Sequence, residues 1–132
     1  MKITVDTNVL VRAVMRDDER QARTAAKLLK EAELIAVSLP CLCEFVWVLR
    51  RVYNFAQQDI SAALEALLNA GNVAVNRPAA DAGLALLKEG GDFADGLIAY
   101  EGNWLGGKTF VSFDKKAVSL VVKQGQQARL LT

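Results

Sequence analysis

Short runs of β-branched and aliphatic residues alternate with longer stretches of helical periodicity along the whole chain. Nothing else in the sequence narrows the fold as much. Residues 3–5, 34–38, 73–75 and 109–113 read as strands, and 128–131 as an edge strand. Residues 9–15, 20–31, 41–53, 79–88, 92–103 and 115–123 read as helices, with a further helix capped by Asp59 or Ser61 and running to Ala70. Pro40 sits where the first turn of a helix accepts proline. Asp17 or Asp18 separates the first two helices, and Asp18 and Gln21 stand at capping-box spacing. Strands that alternate with helices predict a parallel sheet covered on both faces. The expected fold is therefore α/β, a three-layer α/β/α domain with a mostly parallel central sheet. At 132 residues it should form a single domain over 1–132.

In such folds ligands bind beyond the carboxyl ends of the strands, so residues that follow strands carry the most information. Asp6 follows the first strand, in DTNVL. Glu44 lies in the first turns of the helix after the second strand. Asp114 follows the fourth, in TFVSFD. Asp92 and Asp95 open the helix DFADGLIAY, three residues apart and so on one face. Parallel strands would bring all five carboxylates to one edge of the sheet. Each aspartate also has a plain structural reading as a helix cap or a first-turn acid. Glu44 fits that reading worst, because it interrupts the apolar run CLCEFVWVL, where a lone charge calls for a partner or a metal.

The chain contains no histidine. That excludes Ser-His-Asp and Cys-His nucleophilic sites and any hydrolase with an imidazole base. Cys41 and Cys43 are too close for an easy disulfide and, without histidine, cannot complete a zinc site of the usual kind. They read as small buried residues of a protein in a reducing cytoplasm. No apolar run approaches the ~18 residues of a membrane span, and Asp6 interrupts any signal-peptide core. The net charge of +1 exerts no global pull on nucleic acid.

Four or five carboxylates in one place repel one another, and a hard divalent cation relieves that repulsion. An all-oxygen set without His or Cys points to Mg²⁺ or Mn²⁺. Mg²⁺ held by a few carboxylates and several waters suits phosphate-ester chemistry.

The segments DTNVLVR, SLPCLCEFVWVL around Glu44, DFADGLIA around Asp95 and FVSFD at Asp114 together resemble the PIN-domain nucleases, and most closely the VapC-type toxins of bacterial toxin–antitoxin pairs. The resemblance runs through nearly the whole chain, in order. It implies a Mg²⁺- or Mn²⁺-dependent endoribonuclease, restrained by an antitoxin and usually dimeric. The acidic quartet of that family carries over to Asp6, Glu44, Asp95 and Asp114. Asp92 matches an additional acid found in some members, and Thr7 and Asn8 match the polar positions beside the first acid. Ser112 stands where the family often has threonine. On this reading Asp6 and Asp114 bind the metal directly, Glu44 and Asp95 complete the site, and Asp92 supports it. Thr7 and Ser112 either orient the ligands or finish turns.

RNA has to be held as well. Arg12 and Arg16, at i, i+4 on one helix, and Lys115 and Lys116, beside Asp114, are the first candidates, ahead of Arg50, Arg51 and Arg129. The helix around Glu44 carries more apolar surface than a single buried stripe needs. Trp47 and Tyr53 fit interface anchors, in line with a homodimer. Three other readings compete. A receiver domain lacks its phosphoacceptor, because Asn76 follows the third strand. A haloacid-dehalogenase-type phosphatase would have a second Asp where Asn8 stands. A non-catalytic RNA- or protein-binding module on a PIN-like fold would have no use for a full set of acids.

Overall fold

The N-terminal apolar run forms β1 (Lys2–Thr4), and the chain turns at Asp6 into α1 (Thr7–Met15). The computed structural model describes residues 1–132, which fall into two compact units, Met1–Asn76 and Arg77–Thr132. The first unit continues with α2 (Glu19–Glu31), β2 (Leu34–Ala36), α3 (Leu39–Arg51), α4 (Gln57–Leu68) and β3 (Val73–Ala74). Its three strands pair in parallel, in the order β1-β2-β3, with Ile35 opposite both Ile3 and Val73.

Side-chain chemistry explains the helix ends. Asp18 caps α2 by accepting from the Gln21 N–H at 3.0 Å. Only half of the expected capping box forms, because the Gln21 side chain accepts from Arg12 Nε at 2.7 Å instead of returning to its own cap. Ser38 caps α3, which starts at Leu39 with Pro40 in its first turn. The expected cap of α4 does not hold. Its N-cap is Ala56, which offers no side-chain acceptor, and Asp59 sits in the first turn, where the helix dipole favours an acid. Ser61 is buried, and its hydroxyl has no partner.

The core of this unit lies beneath α3. Leu42, Phe45, Val46 and Leu49 follow i, i+3, i+4, i+7 spacing and are all buried. Ile35 of β2 and Ile60 and Leu64 of α4 are also fully enclosed. Burying each such side chain contributes about 1.5–3 kcal/mol, which outweighs the weak helix propensity of the valines and phenylalanine in α3.

The second unit runs α5 (Arg77–Lys88), α6 (Phe93–Trp104), β4 (Thr109–Ser112), α7 (Lys115–Lys123) and β5 (Gln127–Leu130). β4 and β5 pair in parallel across the α7 crossover. The expected edge strand is thus one half of a two-stranded sheet, and the parallel pairing is divided between two sheets, one in each unit. Leu86, Ala99 and Val121 form a core packed by Phe110, Leu120 and Ala128. α5 and α6 approach closely through glycines. A Cβ on Gly96 would lie 2.5 Å from the Ala82 carbonyl oxygen, and one on Gly83 would lie 2.8 Å from the Phe93 ring. No helix in the chain is long and apolar enough to cross a membrane.

Candidate active site

In the first unit β1 and β2 are parallel, so Asp6 and the start of α3 share one sheet edge. Asp6 caps α1 unusually, accepting from the N–H of the next residue, Thr7, at 2.7 Å. Its other oxygen accepts from Asn8 Nδ2 at 3.4 Å. Ordinary caps reach the second or third helical N–H. The carboxylate of Asp6 is therefore folded back against its own helix start and stays exposed to solvent. Buried Thr7 faces Glu44 and donates from Oγ1 to Glu44 Oε1 at 3.1 Å. Glu44 is itself exposed, which corrects the expectation of a charge trapped inside an apolar helix. The apolar residues of α3 turn to the core, and Glu44 turns to the cleft. The Cys41 thiol lies 3.7 Å from Thr7 Oγ1. Burial pushes its pKa up, the Asp6 and Glu44 charges add to the rise, and the Thr7 hydrogen bond offsets part of it. Cys41 is therefore a neutral thiol, and neither cysteine is in a disulfide, Cys43 being only half-buried.

These residues open onto a cleft of about 320 Å³ lined by Asp6, Thr7, Asn8, Val11, Arg12, Glu44, Val48, Val52 and Tyr53. A larger groove of about 610 Å³ follows α1 and α2; it shares Asn8 and Arg12 with the cleft but contains neither Asp6 nor Glu44. The expected Arg12–Arg16 face does not form. Arg16 ends α1 in the left-handed region, at φ 55°, and leaves the helix. Arg12 remains at the cleft, bound to Gln21 and to Asp17 Oδ1 at 3.1 Å. Tyr53 donates its hydroxyl to Asp17 Oδ2 at 3.0 Å. That bond, more than the neighbouring Arg12, holds Asp17 below the usual carboxylate pKa. Sequence reasoning missed this Arg12–Asp17–Tyr53 chain. No local pattern links residues 17 and 53, which meet only once α3 has packed.

In the second unit Asp92 caps α6, accepting from the Ala94 N–H at 3.1 Å. Asp114 caps α7, accepting from Ala117 N–H at 3.1 Å. The Asp114 N–H donates to Ser112 Oγ at 2.9 Å, so Ser112 finishes the turn, whereas Thr7 orients a carboxylate. Asp95, in the first turn of α6, is not its cap. Its carboxyl is pushed above the usual range, first by burial and then by the negative charges of Asp92 and Asp114. The Asp95 carboxyl therefore feels the charges of both Asp92 and Asp114. Lys115 and Lys116 directly follow Asp114 and are exposed.

Comparison with known families gives one match, to the PIN domain, over residues 3–120. The chain belongs to the PIN domain family. No curated protein matches it closely enough to lend it a role. PIN domains are generally nucleases, hydrolases of nucleic-acid phosphodiester bonds, and generally use divalent metals. The matched span takes in Asp6, Glu44, Asp95 and Asp114 and crosses both units. This PIN domain offers only carboxylate and hydroxyl oxygens in its acidic groups, a donor set suited to a hard cation. No three acids or thiols stand close enough to enclose an ion by themselves.

Proposed function

We propose that this PIN domain is a Mg²⁺- or Mn²⁺-dependent endoribonuclease and the toxin of a type II toxin–antitoxin pair. It would act as a cytoplasmic homodimer checked by a cognate antitoxin. The observation that carries the reading is the family match over a span that includes all four acids. The motif resemblance to VapC-type toxins supports the toxin role, and Cys41 and Cys43, neither of them in a disulfide, agree with a reducing compartment. On this reading both units serve one nuclease domain over 1–132.

Asp6, Glu44, Asp95 and Asp114 would hold the ion. Once bound, the ion would neutralise the scissile phosphate and make water a better nucleophile. The remaining work falls to the chain's own side chains. Thr7 fixes the direction of the Glu44 carboxylate through its 3.1 Å bond. Asn8 steadies Asp6, and Ser112 sets the turn that presents Asp114. Glu44 or Asp95 would hold or deprotonate the attacking water. Arg12 meets the RNA backbone at the cleft, and exposed Arg16, Lys115 and Lys116 steer it from solvent.

The test is RNA cleavage with Mn²⁺ by the wild type and by Asp6→Asn, Glu44→Gln, Asp95→Asn and Asp114→Asn. The wild type should cut, and each folded variant should lose most of the activity. Four variants that cut at the wild-type rate would remove the acids from the reaction. In cells, expression of the wild type should arrest growth, and expression of the variants should not.

A further inference from the structure

The cleft in the first unit is lined by two unlike sets of side chains: the carboxylates of Asp6 and Glu44 with the Arg12 guanidinium, and the apolar surfaces of Val11, Val48, Val52 and Tyr53. Catalysis by acids does not require the second set. Val52 is 57% exposed there, an unusual place for a β-branched hydrophobe at a helix end. Tyr53 is kept at the cleft by the end of α3. The Val52 and Tyr53 N–H groups both bond the Val48 carbonyl, and Asn54 reverses the chain at φ 55°. The bond to Asp17 then anchors the hydroxyl end of the ring, and the residue lines the cleft.

Glu44, Val48 and Val52 succeed one another at i, i+4 and i+8 on one face of α3. Each step along that face is about 6 Å. A ligand lying along it meets a carboxylate first, then an apolar surface, with Arg12 alongside. A phosphodiester joined to a flat, weakly polar ring suits that order of groups once a divalent cation on the carboxylates, together with Arg12, offsets the repulsion between the anions. The cleft volume of about 320 Å³ lies at the small end of ligand sites, so it suits a single unstacked nucleotide better than a duplex. Single-stranded RNA is commonly read through bases splayed onto aromatic side chains.

We propose that Val48, Val52 and Tyr53 form a nucleobase subsite that receives the base next to the phosphodiester being cut. Its place in the reaction rests on the nuclease reading above; its binding of a base can be measured without cleavage. Asn8, the neutral amide lining the cleft, is the side chain available to read the base edge.

The binding arm uses the full chain with Mg²⁺ and follows the Val48 and Val52 methyl and Tyr53 ring resonances by NMR. The probes are the four nucleoside 5′-monophosphates and ribose 5-phosphate, which lacks the base. At least one nucleotide should shift these resonances and ribose 5-phosphate should not. Val52→Ala, at an exposed position, should weaken that binding with the fold intact. The cleavage arm compares Tyr53→Ala, Tyr53→Phe and Val52→Ala on single-stranded RNA. Tyr53→Ala and Val52→Ala should raise KM about ten-fold, within the range expected for loss of one stacked base, with kcat little changed. Tyr53→Phe, which keeps the ring, should recover most of the loss. Base-dependent shifts in a protein that cuts no RNA would defeat the nuclease reading and leave the subsite standing. Equal shifts with ribose 5-phosphate, or cleavage with KM unmoved by Tyr53→Ala and Val52→Ala, would overturn the subsite.

Discussion

Replacing Thr7 with valine separates what this side chain does for the fold from what it does for the chemistry. Thr7 is 8% exposed, and its one hydroxyl proton has two acceptors in reach, Glu44 Oε1 at 3.1 Å and Cys41 Sγ at 3.7 Å. The nearer, charged oxygen wins. A hydrogen bond to a charged group contributes about 1.5–3 kcal/mol, but that figure needs discounting here. Glu44 is exposed, so water can replace the lost donor, and valine fills the same space without burying a hydroxyl. The net stability cost of Thr7→Val should therefore be about 1 kcal/mol or less, a shift of roughly 4 °C in Tm for a chain of this length. Activity should suffer more. Loss of a side chain that orients a metal ligand typically costs about 10–100-fold in metal affinity or rate, or about 1.4–2.7 kcal/mol. Thr7→Ser should keep most of both. The assay is kcat/KM for RNA cleavage across a Mn²⁺ titration, beside thermal unfolding of each variant. Wild-type kcat/KM and Mn²⁺ dependence in Thr7→Val would refute an orienting role. A loss of stability larger than the loss of transition-state stabilisation would show that the hydroxyl serves the fold.

Three further outcomes are expected. Asp95 has a raised pKa in the fold, so the native state binds its proton more tightly than the unfolded chain does. The Asp95 contribution to metal-free stability should then be full below the ordinary aspartate pKa and be lost as pH rises through the raised value; Asp95→Asn should remove that part of the pH dependence in denaturant unfolding, and an unchanged profile would contradict it. Gly96→Ala gains about 1 kcal/mol in helix propensity, but its Cβ would meet backbone at 2.5 and 3.0 Å, and overpacking of that kind costs about 1–3 kcal/mol or more; urea unfolding should show net destabilisation, and a variant as stable as wild type would show that α5 and α6 can separate freely. Trp47 is 59% exposed, so Trp47→Glu should leave Tm nearly unchanged yet convert the proposed dimer to monomer by light scattering; a wild type that is monomeric at micromolar concentration would remove Trp47 from any self-association.

Element types were legible in the sequence because the apolar spacing of α3 and the strand-like runs at β1, β2 and β4 agree with their local propensities. The caps were legible where a side chain makes them, at Asp18, Asp92 and Asp114. They were misread where none does, at Ala56, because Asp59 and Ser61 look like caps to any local rule. Asp6 and Asp114 were singled out by their positions just after β1 and β4, which depend only on where the strands end. The direction of Glu44 was not found, since an apolar run around a charge says nothing about which way the charge faces. The left-handed turn at Arg16 removed a predicted basic face for a similar reason: i, i+4 spacing assumes that the helix continues. The Asp17–Tyr53 bond depends on packing between α1, α2 and α3, and no window of the sequence contains it.

The most direct measurement is the identity of the ends left on cleaved RNA, with Mn²⁺ and again in EDTA. A chain without histidine that hydrolyses phosphodiesters by metal-assisted attack of water should leave 5′-phosphate and 3′-hydroxyl ends, and EDTA should abolish cleavage. Ends bearing 2′,3′-cyclic phosphate, or cleavage that continues undiminished in EDTA, would contradict a metal-dependent role for Asp6, Glu44, Asp95 and Asp114.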